Sequence, residues 1–359
     1  MRPAALDRLG AAVRGRTPAL VVNVEALERN LATMQTACTA AGRALRPHVK
    51  GHKSPWIAHA QLRHGAVGVC AATLAEAQTM VGGGVTDLHL TSALAPAKLG
   101  ALFELAAVAT VSVVVDDVAQ VEALAVAGAG SRNRVGVLIE LDAGQDRAGA
   151  APGQLVAIAA GIASSPALEL VGVQAYEGHL QQLPDAAERR LRAHAAYDAA
   201  AACVHELQQA GHPVQRVTCA GTGTLEPALD HSLPTEVQPG SYALADASYR
   251  AAGVDRYEQA AFVIASVLGV RPDATLIVDA GVKAVSGDLG PAAVAFPPGA
   301  AYTPAGDEHG RVAGGAHALR TGDLVALVPS HSDTTVCLHR RFVVVTDDGH
   351  DHGTLPIGA

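Results

Sequence analysis

The chain has 359 residues, 49% of them hydrophobic and 17% charged, with a formal net charge of -8. That balance supports a buried core and more than one domain, and excludes a disordered chain. The negative charge argues against a nucleic-acid or anionic-membrane surface, and five scattered cysteines (Cys38, Cys70, Cys203, Cys219, Cys337) without a CxxC pair exclude a disulfide framework or zinc ribbon.

In chain order, Met1 to Arg16 has no hydrophobic signal core, and no apolar run further on reaches the roughly 18 residues that span a bilayer. A soluble cytoplasmic protein is expected. From about residue 44 to 245 one theme recurs: a short β-branched run, a turn, then an Ala/Leu-rich helix. The predicted strands are Ala44–Lys50, Ala66–Ala71, Asp87–Ser92, Thr110–Val115, Val135–Leu141, Leu168–Tyr176, Arg216–Ala220 and Glu236–Tyr242. Helices such as Leu74–Val81, Pro96–Leu105 and Ala186–Gln209 link the first seven, and the last link reads as a loop. Eight strands alternating with helices predict an α/β fold with a (β/α)8 TIM-like barrel over residues 18–257. After residue 258 the helices give way to Ala261–Val270, Thr275–Asp279, Leu324–Pro329, Val336–Leu338 and Arg341–Thr346, separated by Gly/Pro/Asp turns. This predicts a β-rich C-terminal domain, 258–359, joined by 1–17 and by the strand at 19–23 if that strand pairs there.

Reactive groups of such barrels lie at the C-terminal ends of the strands. Here those ends carry His48-Val49-Lys50-Gly51-His52-Lys53, then Asp142 to Arg147, Tyr176-Glu177-Gly178-His179, Gly221-Thr222-Gly223-Thr224 and Pro239-Gly240-Ser241-Tyr242. A lysine is seldom buried unless paired or functional, and a desolvated amine forms a Schiff base with a carbonyl. Lys53 is the rival within the motif; a strand that turns Lys50 inward leaves Lys53 in the loop. The Gly-Thr-Gly-Thr run offers small residues through which a phosphate comes close to backbone N–H groups, at the strand where barrel phosphate sites lie. In the C-terminal domain His331 and Asp333 stand two apart in Pro329-Ser-His-Ser-Asp-Thr-Thr-Val336. On an extended chain both would face one side and share a divalent cation. His350-Asp351-His352 reads as a solvated turn, His205, His212 and His231 have no evident partners, and Asp279 and Lys283 read as structural.

Thr17-Pro18-Ala19-Leu20, the segment Arg46-Pro47-His48-Val49-Lys50-Gly51-His52-Lys53-Ser54-Pro55, and Gly68-Val69-Cys70-Ala71 resemble the D-threonine aldolase and D-serine dehydratase group of alanine-racemase-like (fold-type III) pyridoxal-phosphate enzymes. The resemblance implies that Lys50 holds pyridoxal 5'-phosphate and that Arg147 approaches its phenolic oxygen. Tyr176 and His179 would flank it, and Gly221, Thr222, Gly223, Gly240, Ser241 and Tyr242 would hold its phosphate. Gln238 stands where alanine racemases place an arginine against the pyridine nitrogen. His331 and Asp333 would bind a divalent metal, manganese in preference to magnesium, cobalt or zinc, because aspartate replaces the cysteine of the zinc-dependent dehydratases.

The resemblance implies retro-aldol cleavage of a D-β-hydroxy-α-amino acid to glycine and an aldehyde, with Lys50, His179 and Arg147 as catalytic residues and His179 as base. A D-serine or 3-hydroxy-D-aspartate dehydratase is the alternative. A racemase lacks a visible second acid/base, and a non-catalytic cofactor carrier would need the barrel alone. A small D-amino acid is the expected partner, and a homodimer with shared active sites is implied by the resemblance.

Overall fold

The computed structural model describes Val13 and residues 15–151, 153–315 and 318–358. Two compact units emerge, one of residues 34–240 and one of residues up to Thr33 with Ser241–Gly358. Residues 241–257, expected with the barrel, thus group with the β-rich unit. No described helix is long and apolar enough to cross a membrane.

The first unit is the expected barrel. Its strands are Ala44–Leu45, Val69–Ala71, Asp87–Leu90, Thr110–Val115, Val135–Glu140, Leu168–Ala175, Arg216–Cys219 and Glu236–Val237, all paired in parallel. The run 44–48 closes the ring by bonding on both edges. Ala44, Arg46 and His48 donate to the carbonyls of Thr235, Val237 and Pro239 at 3.0–3.1 Å, while Val67 and Cys70 donate to Leu45 and Pro47 at 2.9 Å. His48 also bridges Cys70 in parallel.

The period-2 pattern decides what faces where. Leu88, Leu90, Val113, Ile139 and Val173 are buried in one cluster with Leu102, Val121, Leu124, Ile158 and Ile162 of the helices. Each such side chain contributes roughly 1.5–3 kcal/mol by leaving water. The alternate positions, among them His89, Ser112, Glu140 and Gln174, turn to the barrel interior and are buried too. Helix starts follow from capping residues. Thr73 accepts from Glu76 N at 3.2 Å, Asp117 from Ala119 N at 2.6 Å, and Asp185 from Ala187 N and Glu188 N.

The second unit is a nine-stranded sheet. In spatial order its strands are Leu276–Val278, Gly310–Gly314, Ala300–Pro304, Ala293–Phe296, Leu324–Val328, Ala261–Val270, Ala19–Asn23, Arg341–Val345 and Asp351–Pro356. All pairs are antiparallel except Ala19–Asn23 with Arg341–Val345. Asn30 ties the following helix, Val24–Ala40, to this unit. Its Nδ2 donates to Ala243 O at 3.1 Å and Glu258 O at 2.8 Å, and its Oδ1 accepts from Glu258 N at 2.7 Å. Asp279 accepts from Thr17 Oγ1 and Ser266 N, and exposed Lys283 pairs with Glu308 at 2.7 Å; both are structural.

Several expectations need correction. The regular first barrel strand is Ala44–Leu45, its ladder bonds continue to His48, and Lys50 lies beyond them in a 3-10 turn, Val49–Gly51. The eighth strand stops at Val237, before the Pro239-Gly240 pair. Pro96–Leu105 is a 3-10 turn, Pro96–Lys98, followed by the helix Leu99–Ala106. The last link contains a short helix, Leu225–Asp230. Val336–Leu338 is no strand: Ser332–Val336 is helical, so His331 is its N-cap and the extended-chain argument for His331 and Asp333 fails. Asp351 and His352 open an edge strand rather than lying in a turn.

Gly172 illustrates how closely the barrel strands pack. A Cβ there would lie 1.9 Å from the carbonyl oxygen of Arg216 on the neighbouring strand. Gly172→Ala is expected to lower stability by roughly 1–3 kcal/mol, read as a lower urea midpoint.

Candidate active site

Lys50 is half-buried in its 3-10 turn. Its backbone N–H donates to His48 Nδ1 at 3.2 Å, which makes that nitrogen the lone-pair side of the ring. His48 Nε2–H therefore donates to Thr91 Oγ1 at 3.1 Å, and Thr91 donates on to Ala71 O at 3.3 Å. Burial, then the neighbouring Lys50 charge, holds His48 well below the usual histidine range, so the ring is neutral. His52 is also buried and is pushed down to about 4. Lys53 is differently placed. Its backbone is left-handed (φ 51°), and its Nζ lies 3.5 Å from Glu76, a buried carboxylate that also accepts from Ala72 N. Lys53 is thus the partner of a structural charge.

Beside the turn the barrel interior is a hydrogen-bonded layer. Gln174 Nε2 donates to Thr91 O at 3.1 Å and to Glu140, and its Oε1 accepts from His89 Nε2 at 3.0 Å and Gln238 Nε2 at 2.8 Å. Gln238 Nε2 donates also to Thr218 Oγ1 at 2.8 Å, so both its N–H groups are used and Oε1 remains as its acceptor. Burial pushes Glu140 up to about 8, against the opposing effects of the Gln174 hydrogen bond and Arg147. His89 Nδ1 meets Ser112 Oγ at 2.9 Å, and burial followed by the Arg216 charge keeps His89 neutral. Beyond it Arg46 pairs with Glu236 at 3.0 Å and with Asp87.

The loop after the strand Val135–Glu140 is wound around Asp142, whose Oδ1 accepts from the N–H groups of Gly144, Gln145 and Asp146 at 2.9–3.2 Å. This winding presents Arg147 over the ring of Tyr176, 5.8 Å from its centroid. His179 lies exposed in the 3-10 turn Gly178–Leu180, and a Cβ at Gly144 would sit 3.6 Å from its ring. Partial burial, then the Arg192 charge, lowers the His179 pKa, which favours the neutral, proton-accepting ring.

The Gly221–Thr224 loop is held from beneath by Glu177, fully buried, which accepts from Tyr197 Oη at 2.8 Å and from Thr224 Oγ1. Burial raises its pKa, and the hydrogen bonds from Thr224 and Tyr197 oppose that rise. Two of the expected phosphate donors are already committed: Gly221 N donates to Thr224 Oγ1 at 3.1 Å and Gly223 N to Gln181 Oε1 at 2.9 Å. The glycines are needed for close packing, since a Cβ at Gly223 would meet Gln181 O at 1.9 Å and one at Gly240 would meet His48 O at 2.8 Å. Thr222 is buried between the two glycines at the strand end.

In the β-rich unit His331, half-buried, lies 2.6 Å through Nδ1 from Asp288 Oδ2 and 4.0 Å through Nε2 from Asp333 Oδ2. Ser241 Oγ donates to Asp333 Oδ1 at 3.5 Å, and buried Tyr242 packs with its ring centroid 5.7 Å from that of Tyr257. Among the described residues no group of three His, Cys, Asp or Glu side chains is set to hold a metal. His350 pairs with Asp348 on the surface, and His231 with Asp198.

These groups suit the ligands the resemblance implies. A half-buried amine beside a neutral histidine, a guanidinium over a phenol ring and a Gly-Thr loop fit a phosphorylated aldehyde. An imidazole nitrogen facing a carboxylate oxygen at 4.0 Å, too far for a hydrogen bond, fits a shared cation. Sequence reasoning missed Gln174, Glu140, Thr91, Glu177 and Asp288. The first two were visible as polar residues breaking β-branched strands, whereas Asp288 lies in a loop with no such pattern.

Residues 22–247 match the alanine racemase N-terminal domain and residues 260–345 a putative serine dehydratase domain. A barrel of eight parallel strands with a separate β-rich unit is the alanine-racemase-like architecture. The chain is 38% identical to D-threonine aldolase from Arthrobacter sp. over 92% of its length and 89% of that protein's. It is 30% identical to D-threo-3-hydroxyaspartate dehydratase from Delftia sp. (strain HT23), over 93% and 95%. The structure of a D-threonine aldolase from Filomicrobium marinum superposes with a TM-score of 0.92 at 35% identity, over 95% of both chains. The chain therefore belongs to the D-threonine aldolase-like lyases of the alanine-racemase fold, a family whose cofactor is pyridoxal phosphate.

The buried, neutral histidines make a pH prediction. His89 in the unfolded chain takes up a proton below about pH 6.5, whereas the folded protein, with its pKa lowered, does not. Its contribution to stability is present above that pH and is lost as pH falls. His89→Gln should therefore show a shallower loss of stability between pH 6.5 and 5, by about 1.4 kcal/mol per pH unit for one proton, in urea unfolding curves at each pH.

Proposed function

We propose that the protein cleaves D-threonine-like β-hydroxy-α-amino acids by a retro-aldol reaction, giving glycine and an aldehyde, with pyridoxal phosphate and a divalent metal. The observation that carries this reading is the near-full-length similarity to D-threonine aldolases.

Lys50 holds the cofactor through its amine. His48 contributes only its lone pair to the turn, and being neutral it adds no second positive charge beside that amine. Arg147, steadied over Tyr176, orients the cofactor's phenolic oxygen. Gln238, whose amide N–H groups are taken by Gln174 and Thr218, would offer the pyridine ring an acceptor oxygen, and Thr222, Gly223, Gly240, Ser241 and Tyr242 would serve the phosphate. Pyridoxal phosphate, when bound, supplies an electron sink for the pair left when Cα–Cβ breaks. His179, kept neutral, takes the β-hydroxyl proton. His331 and Asp333 hold the metal, manganese in our reading because both donors are nitrogen or oxygen; such an ion lowers the pKa of a hydroxyl bound to it. A homodimer in the cytoplasm completes the proposal.

The similarity to D-threo-3-hydroxyaspartate dehydratase supports a second reading, elimination of water with ammonia release. Incubation of the purified protein with D-threonine separates the two. Glycine and acetaldehyde, lost on chelation and restored by manganese, are expected; 2-oxobutanoate and ammonia would establish the dehydratase. Lys50→Ala should abolish both turnover and the visible absorption of the bound cofactor. Lys53→Ala should keep that absorption while losing stability, since it strands Glu76; the reverse pattern would assign the cofactor to Lys53. His331→Ala should cut turnover at least 100-fold, measured as acetaldehyde released.

A further inference from the structure

We propose that Asp288 is the positioning residue for the metal ligand His331, an inference that rests on the metal reading above. Its carboxylate has two differently engaged oxygens. Oδ2 lies 2.6 Å from His331 Nδ1, and Oδ1 accepts from Ser286 Oγ at 2.7 Å and Thr334 Oγ1 at 2.9 Å. The hydroxyls come from two segments, the loop 284–290 and the helix Ser332–Val336. The two segments are joined again by Ser286 N to Thr335 Oγ1 at 3.2 Å and by Ser330 Oγ to Ser286 O at 3.3 Å. Two hydroxyl donors from two segments thus hold the Asp288 carboxylate toward the imidazole.

The consequence for His331 follows from the chemistry of the pair. A carboxylate only accepts, so the nitrogen facing it carries the hydrogen. The lone pair of the neutral ring is then confined to Nε2, the nitrogen 4.0 Å from Asp333 Oδ2. Nε2 and the Asp333 carboxylate are then two donors on the same side that could share a divalent cation. Without Asp288 nothing at Nδ1 fixes the tautomer, and a ring carrying its hydrogen on Nε2 would turn N–H toward Asp333 instead of a lone pair. Asp333 is steadied in turn by Ser241 Oγ on the oxygen away from His331.

The test is manganese affinity of the pyridoxal-phosphate-loaded, chelator-stripped protein, with free Mn2+ followed by electron paramagnetic resonance. Asp288→Ala should bind manganese roughly 10–100-fold more weakly, the range for loss of an outer partner of a metal-bound histidine. Asp288→Asn, whose amide oxygen still accepts from Nδ1–H, should fall between it and the wild type, and both should bind pyridoxal phosphate as the wild type does. A merely structural role would weaken cofactor binding as well. Manganese affinity unchanged in both Asp288 variants while His331→Ala loses it would overturn the proposal and leave the metal reading standing. Wild-type affinity in His331→Ala would sink the metal reading itself. Should Asp288→Ala fail to fold, Asp288→Asn decides, with no change in affinity counting against the role.

Discussion

Gln174 cannot be turned round. One side of its amide faces the main-chain oxygen of Thr91, a pure acceptor, and the carboxyl of Glu140; the other faces N–H groups of His89 and Gln238. Reversing the amide would set oxygen against oxygen and leave buried groups unpaired, at about 1–3 kcal/mol each. From this one constraint the rest of the interior takes its direction. Gln238 must donate, and its second N–H goes to Thr218; His89 must donate from Nε2, so Nδ1 faces Ser112; Thr91 is held where it receives His48. His48 then fixes the turn that carries Lys50. A polar barrel interior is costly to desolvate, as the raised Glu140 and depressed His89 and His48 show, and only a fully connected layer offsets that cost.

Much of this was legible in the chain. Every predicted barrel strand exists, because β-branched runs such as Thr110–Val115 and Val135–Glu140 alternate with helices whose caps, Asp117 and Asp185, are plain in the sequence. The family was legible in the Pro-His-x-Lys-x-His-Lys segment. What failed did so for local reasons. A strand signal through Val49 was cut short after His48 by the 3-10 turn Val49–Gly51. The alternation expected for His331 and Asp333 dissolved because Ser332 to Val336 close into a helical turn, so the two are neighbours through a cap rather than a pleat. The Gly221–Thr224 loop looked open from its glycines, yet Gly221 and Gly223 spend their N–H groups on Thr224 and Gln181. No one-dimensional pattern reports a partner as remote in sequence as Gln181.

The same reasoning separates what lies in the fold from what lies in the site. The architecture is shared with proteins whose names cover aldol cleavage and dehydration, so the barrel and sheet set no reaction by themselves. Differences between such reactions then fall to single side chains set on that frame.

The pairing of Ala19–Asn23 has a bearing on how the chain is made. This strand lies between Ala261–Val270 and Arg341–Val345, so both of its neighbours leave the ribosome long after it does. Every barrel pair, by contrast, joins residues within 44–237. During synthesis the apolar run Ala19-Leu20-Val21-Val22 waits as an unpaired edge while the barrel can already close, and the sheet is completed only when the last strands arrive. A nascent chain stalled before residue 341 therefore holds every barrel strand but lacks one of the two neighbours of Ala19–Asn23.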